Sequence, residues 1–154
     1  MKLVTNIQNL LTEIERRIPD AQKADLNISK SNIAWHLDHS LKVVNGVTGM
    51  LVKSDVKDYK SNFNKWRLIC FGFNFIPRGR GKAPKVVRPP EIVKVEDIKQ
   101  QLEQAKSNID PLKDVPKHAN FKHPVFGVLN KKQTLKFIKL HTQHHLKIID
   151  DICR

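Results

Sequence analysis

A chain of 154 residues, of which 40% are hydrophobic and 28% charged, can form a core of its own and is too apolar for wholesale disorder. We therefore expect a single domain over residues 1–154. The two cysteines, Cys70 and Cys153, have no CxxC spacing, which argues against a disulfide framework and against a cysteine zinc site. No apolar run approaches the ~20 residues that span a bilayer, and the N-terminus becomes polar too early for a signal peptide. These features predict a cytoplasmic protein without a membrane partner.

The charge of the chain is strongly positive. Lys and Arg number 28 against 15 Asp and Glu, a formal net charge of +13. The excess is concentrated in residues 78–94 and in residues 115–154. Such an excess favours an anionic partner, which can be nucleic acid, an anionic surface or an anionic small molecule, and the charge alone selects none of these.

Hydrophobic residues at three- and four-residue spacing predict amphipathic helices along most of the chain. The first helix is expected over residues 5–17. The second is expected over residues 32–52, with Ser29 or Ser31 as the N-cap that accepts a bond from its free N–H groups. A short third helix, rich in aromatic side chains, is expected over residues 61–75.

Residues 77–90 have the sequence PRGRGKAPKVVRPP and cannot be helical, because prolines remove backbone donors and glycines loosen the chain. They predict a long basic loop, and long ordered loops in compact domains are often functional. A fourth helix is expected over residues 95–109 and the last over residues 131–152. Strand alternation is confined to short pieces such as residues 85–87. The pattern predicts an all-α protein: a four-helix bundle with an extra short helix and a long basic crossing loop.

Three of the seven histidines fall in the last predicted helix, in the sequence LHTQHHLKII. Residues four apart lie one above the other on a helix face, so His141 and His145 can chelate one ion. His141 and His145 both occupy positions of the hydrophobic stripe of this helix, where core residues are expected. His144 is rotated by about a hundred degrees from His145 and is expected on the flank.

The second predicted helix offers a complement in the sequence NIAWHLDHS. His36 is expected on its inward side, and His39 lies one turn further along, slightly rotated. Because an unpaired buried imidazole nitrogen costs about 1–3 kcal/mol, three imidazoles converging from two helices are best satisfied around a cation. The alternative is that the pair four residues apart consists of two half-buried histidines without a metal. His118 and His123 are better explained as polar loop or capping residues.

The motifs IAWHLDHSL and HTQHHLKII, together with IPRGRGKAP and HPVFG, resemble the DinB superfamily of metal-binding four-helix bundles, in particular a branch with a domain of unknown function. The resemblance runs from the second helix to the end of the chain. It implies an up-down bundle of the DinB kind, in which one histidine of the second helix and two of the last bind zinc or nickel. The family's helix-two ligand is usually followed by an aliphatic residue. The resemblance therefore implies His36, His141 and His145 as ligands, with His39 as the alternative to His36.

The resemblance also implies a chemistry. Three protein ligands leave a coordination position open, as in catalytic metal sites. Superfamily members include thiol-dependent S-transferases and a thiol-linked isomerase, in which a low-molecular-weight thiol is thought to bind the metal. We therefore expect a metal-dependent transferase or hydrolase that acts on a small, anionic molecule. Such thiols carry carboxylates, and Arg78, Arg80 and Lys82 of the basic loop are the expected binding residues. The alternative for this loop is a solubilising surface.

Two other function classes compete with a metal enzyme. One is a metal-bearing scaffold without catalysis, and the other is a basic nucleic-acid-binding protein, which the net charge suggests. The sequence has no zinc-finger, helix-turn-helix or RNA-recognition signature and no evident aromatic stacking platform, so no specific nucleic-acid partner is expected. Dimers are frequent in the superfamily, which makes a homodimer one expected state beside the monomer.

Overall fold

The computed structural model describes residues 2–79 and 83–154, most of which are helical. These residues form five α-helices and one two-stranded hairpin. In chain order the elements are α1 (Lys2–Arg17), α2 (Ile33–Lys53), α3 (Lys65–Gly72), α4 (Val95–Ile109), β1 (Asn120–His123), β2 (Gly127–Asn130) and α5 (Lys131–Ile152). The predicted all-α class is confirmed in part: the fold is mostly helical, with one small two-stranded sheet in addition. Within the described ranges, none of the helices has the length and apolar character needed to cross a membrane.

Four long helices enclose the core. α2 packs against α4 and α5, and α1 packs against the same two helices. Each fully buried leucine or isoleucine between them stabilises the fold by about 1.5–3 kcal/mol. The largest such side chains on these four helices are Ile7, Leu11, Ile14, Ile33, Leu37, Leu41, Leu51, Ile98, Leu102 and Ile109. The short helix α3 lies outside this group and packs against α5.

Helix α2 is buried on more than one side, whereas α1 and α4 each bury a single stripe. Even polar side chains of α2 are inside, and they have partners. The Asp38 carboxylate lies 2.7 Å from Lys42 Nζ and accepts a hydrogen bond of 2.6 Å from Gln101 Nε2 of α4. Histidines on different faces of α2 can therefore all reach the interior.

The starts of α2 and α5 are set by asparagine caps. Asn32 accepts a hydrogen bond from the Trp35 N–H at 3.0 Å, so the predicted caps Ser29 and Ser31 are wrong. At α5, Asn130 and Gln133 form a reciprocal capping box. Such a cap stabilises a helix by about 1 kcal/mol and fixes which residues fall on its inner face.

The predicted bounds are confirmed for α4 and α5 and differ elsewhere. α1 begins earlier than expected, at Lys2. α3 is shorter than expected, because the Asn64 side chain caps it by accepting from the Arg67 N–H, and the helix ends at Gly72. Residues 85–87 form a turn of 3-10 helix and not a strand.

The hairpin was not predicted from the sequence. β1 and β2 are antiparallel, with Asn120 opposite Asn130 and His123 opposite Gly127. Gly127 has a φ of +72°, a left-handed conformation that favours glycine. The Arg67 guanidinium of α3 donates to the carbonyl oxygens of Phe126 and Val128 at 3.1 Å each, which ties the hairpin to α3.

Candidate metal centre

Four histidines meet where α2 faces α5. Their positions follow from helix geometry: residues three or four apart share a face of each helix. The ring centroids of His141 and His145 are 4.6 Å apart, and His39 lies 5.1 Å from His141 and 4.8 Å from His145. The ring centroid of His36 lies 5.2 Å from that of His145.

Three of these residues can share one ion. His39, His141 and His145, which we call the histidine triad, each offer one ring nitrogen, and the three nitrogens lie within 4.8 Å of one another. The structure thus brings together the two histidines predicted from α5. The third member is His39, the alternative that the sequence left open, and not His36.

The predicted ligand His36 lies outside the histidine triad. It is only 4% exposed, so its predicted inward orientation holds. Both of its ring nitrogens, however, have other partners: Nδ1 lies 2.9 Å from His145 Nδ1, and Nε2 lies 2.9 Å from Ser29 Oγ. The choice of His36 over His39 came from the family motif. Because α2 is buried on several sides, both histidines point inward, and inward orientation does not distinguish them.

The orientation of His39 leaves one nitrogen free for a ligand. Its Nδ1 lies 2.8 Å from the carbonyl oxygen of Val87, which can only accept, so this nitrogen carries the proton and Nε2 does not. Metal-binding histidines commonly donate their second N–H to a carbonyl in this way. The ring is also stacked on Trp35, with centroids 5.0 Å apart and planes 25° from parallel. Both contacts fix the imidazole before any ion arrives.

His141 carries an unsatisfied atom. Within the described part of the chain, its Nδ1 is buried and has no hydrogen-bond partner. Leaving such a group unpaired costs about 1–3 kcal/mol, and native proteins seldom tolerate it without a reason. A cation shared with His39 and His145 supplies the missing partner, so the residues present fit a metal.

The electrostatics of the triad also suit a cation. Burial holds the pKa of His141 and of His145 well below the usual range, and the neighbouring histidines add to this. Burial also lowers the pKa of His39, against the opposing effect of its bond to Val87. The imidazoles are therefore neutral at pH 7, which is the form that binds metals. An all-imidazole set suits zinc, nickel, copper or iron and is a poor site for calcium or magnesium, which take oxygen ligands.

The basic loop reaches this end of the bundle. Val87, which accepts from His39, belongs to its 3-10 turn Lys85–Val87. Burial, then His39, His144 and the positive charge of Arg78 lower the pKa of His36 to about 4. The Arg78 guanidinium pairs with Asp151 of α5 at 2.7 Å. The other two predicted anion-binding residues, Arg80 and Lys82, lie outside the described residues.

The remaining histidines are not part of the triad. His144 is partly exposed, on the flank of α5 as predicted, and His118 is exposed. His123 is a capping residue, as the sequence suggested: its Nδ1 accepts hydrogen bonds from the N–H groups of Val125 and Phe126 at 3.1 Å each.

Comparisons of the chain with protein-family models, with curated proteins and with solved structures found no match. The function of the triad is therefore inferred from its own residues.

Proposed function

We propose that the chain is a metal-dependent enzyme that holds a zinc or nickel ion on His39, His141 and His145 and acts on a small molecule as a transferase or hydrolase. The observation that carries the proposal is the triad itself. Three neutral imidazoles from two helices have nitrogens within 4.8 Å of one another, and one buried nitrogen has no partner among the described residues. The motif resemblance to the DinB superfamily supports a metal held by two histidines of the last helix and one of the second, although it favoured His36 over His39.

The donor set favours catalysis over a closed structural site. Structural zinc sites use four protein ligands, whereas three leave a position open to a small molecule. When bound, such an ion supplies a Lewis acid that favours loss of a proton from a water or thiol in that position. Of the triad, His141 is partly exposed, as is the adjacent Trp35, so the triad lies near the surface of the bundle.

The basic loop suggests the substrate class. The guanidinium of Arg78 lies close enough to His36 and His144 for its charge to lower the pKa of both imidazoles, after the larger effect of burial. An anionic group held there would sit beside the triad. We propose that Arg78, Arg80 and Lys82 bind a carboxylate of the substrate, and that a low-molecular-weight thiol is a co-substrate.

Metal titration of the apoprotein tests the centre. After treatment with a chelator, the wild type should take up one zinc or nickel ion per chain, measured by calorimetry and by elemental analysis. His39→Ala and His145→Ala should lose this binding. The matched control is His144→Ala, which removes an adjacent imidazole of α5 that is outside the triad and should bind almost as the wild type does.

A thiol probe separates an enzyme from a scaffold. The cobalt(II)-loaded protein should show a new sulfur-to-cobalt absorption band when a carboxylated thiol such as glutathione is added. A protein that binds cobalt but shows no such band, and no spectral change with other small anions, would support the metal-bearing scaffold. A wild type that takes up no zinc, nickel or cobalt would reject the metal centre altogether.

A further inference from the structure

A chain of hydrogen bonds leads from a surface loop to the triad through His36. The Ser31 N–H donates to Ser29 Oγ at 3.1 Å, and the same oxygen lies 2.9 Å from His36 Nε2. His36 Nδ1 in turn lies 2.9 Å from His145 Nδ1. Ser29 is partly exposed, whereas His36 and His145 are buried at 4% and 7%. Each ring nitrogen of His36 therefore has one partner.

The direction of these bonds determines whether His145 can bind a cation. Two neutral imidazoles joined nitrogen to nitrogen share one hydrogen, so either His36 or His145 is the donor. If His36 donates, His145 accepts through Nδ1 and carries its own proton on Nε2. Neither nitrogen of His145 is then available to a cation. If His145 donates through Nδ1–H, its Nε2 carries a free lone pair.

The second arrangement also satisfies the rest of the chain. With Nδ1 as an acceptor, His36 carries its proton on Nε2 and donates it to Ser29 Oγ. A serine oxygen has two lone pairs, so it can accept this bond and the Ser31 N–H together. His145 Nδ1–H, His36 Nε2–H and the Ser31 N–H then each have an acceptor, and the hydroxyl hydrogen of the partly exposed Ser29 is free to turn to solvent.

We propose that His36 is a positioning residue: it accepts the Nδ1–H of His145, and this fixes the tautomer in which His145 Nε2 is available to a cation. The inference rests on the proposed function. Outer hydrogen bonds of this kind commonly come from carboxylates or carbonyls. A neutral imidazole in this role adds no negative charge, so the ion on the triad keeps its full positive charge for a small-molecule ligand.

Three substitutions at one position test this role. Asparagine can place its Oδ1 close to the position of the imidazole Nδ1, so His36→Asn keeps an acceptor for His145. In His36→Gln the amide reaches toward the position of Nε2, so this variant keeps a partner for Ser29 and loses the one for His145. His36→Ala removes both. Thermal unfolding of each apoprotein checks that the variants fold.

The zinc dissociation constants of the folded variants should separate positioning from ligation. His36→Ala and His36→Gln should bind one ion with affinity weakened about 10–100-fold, and His36→Asn should stay within a few-fold of wild type. Equal affinity in all four proteins would overturn the inference. Loss of binding in all three variants, as severe as in His39→Ala, would overturn it in favour of His36 as a ligand, because an amide does not replace imidazole on zinc.

A metal-free measurement separates this inference from the proposed function. Long-range ¹H–¹⁵N spectra of the apoprotein near pH 7 should show His145 protonated on Nδ1 in the wild type and in His36→Asn. His36→Ala should give a mixture of tautomers or the Nε2–H form. A wild-type His145 protonated on Nε2 would overturn the inference even if the triad binds metal. Absence of metal uptake together with the expected tautomers would reject the proposed function and leave the hydrogen-bond assignment standing.

Discussion

Two half-buried histidines, His123 and His141, both contact Phe137, and they differ in the hydrogen bonds of their ring nitrogens. The ring centroid of Phe137 is 4.5 Å from His123 of the hairpin and 5.5 Å from His141 of the triad. Burial lowers the pKa of His123 to about 4 and that of His141 even more clearly below its usual range. Burial and a low pKa therefore do not distinguish them.

The difference lies in the partners of Nδ1. His123 accepts two backbone N–H groups there, while His141 Nδ1 has no partner within the described ranges. The first arrangement closes a turn and is complete without a ligand. The second leaves an acceptor that nothing in the described fold uses. A buried histidine thus indicates a ligand site only when one of its ring nitrogens has no hydrogen-bond partner within the fold.

The largest expected effect comes from replacing each histidine by leucine. His141→Leu should abolish metal uptake, because the triad loses a ligand, and it should leave the apoprotein as stable as wild type or more stable, because an unpaired buried nitrogen is removed. His123→Leu should keep metal uptake and lower the free energy of unfolding by about 1–3 kcal/mol, because two N–H groups lose their acceptor.

Calorimetric zinc titration and urea unfolding of the chelator-treated proteins measure the two properties separately. Destabilised apoprotein in His141→Leu, to the same extent as in His123→Leu, would mean that both histidines are structural. Loss of metal uptake in His123→Leu would show that the hairpin supports the metal centre. The surroundings of His123 and of His141 could then not be treated as independent.

Some of the differences between His123 and His141 could be predicted from the sequence. The spacing of His141 and His145 on a helix whose bounds the periodicity predicted is a local property, and so is the ability of His123 to cap a turn. The choice between His36 and His39 is not local, because it depends on how many neighbours surround α2. The hairpin was missed because strands of four residues are too short for an alternating pattern to stand out. The unpaired nitrogen of His141 appears only once the packing is known.

A second prediction uses the pH dependence of the hairpin histidine. An unfolded histidine has a pKa near its ordinary value of 6.5, and that of folded His123 is about 4. Between these values the unfolded chain binds the extra proton, so the contribution of His123 to stability is complete above the unfolded pKa and is lost as the pH falls toward the folded one. From pH 7 to pH 5 this loss is at most about 2 kcal/mol, since the side chain is partly exposed.

His123→Asn isolates this contribution, because an amide oxygen can accept the same N–H groups and does not titrate. Urea unfolding of the two apoproteins at pH 7 and pH 5 should show a smaller loss of stability in the variant. The other buried histidines contribute equally to both proteins and cancel in the difference. Identical losses would mean that His123 is not held neutral by the fold, and the contrast with the triad would then rest on hydrogen bonding alone.

The smallest expected effect concerns the basic loop, whose described residues bond to the triad at His39 and have no hydrogen bond to His123. The charge of Arg78 contributes to the lowered pKa of His36 and His144 but is not among the causes at His123. Arg78→Gln should therefore weaken binding of a carboxylated thiol to the metal-loaded protein, by up to about tenfold because the side chain is exposed and screened. Metal affinity should stay unchanged, since no ligand is lost.

The matched control is Arg154→Gln, which removes a second, more exposed partner of the same carboxylate, Asp151. If Arg78 acts on the substrate, only Arg78→Gln changes the thiol dissociation constant measured by calorimetry. If Arg78 serves only to neutralise Asp151, the two variants should bind the thiol alike. In that case the loop contributes to the centre through the Val87 carbonyl that orients His39, and the anion site must be sought elsewhere around the triad.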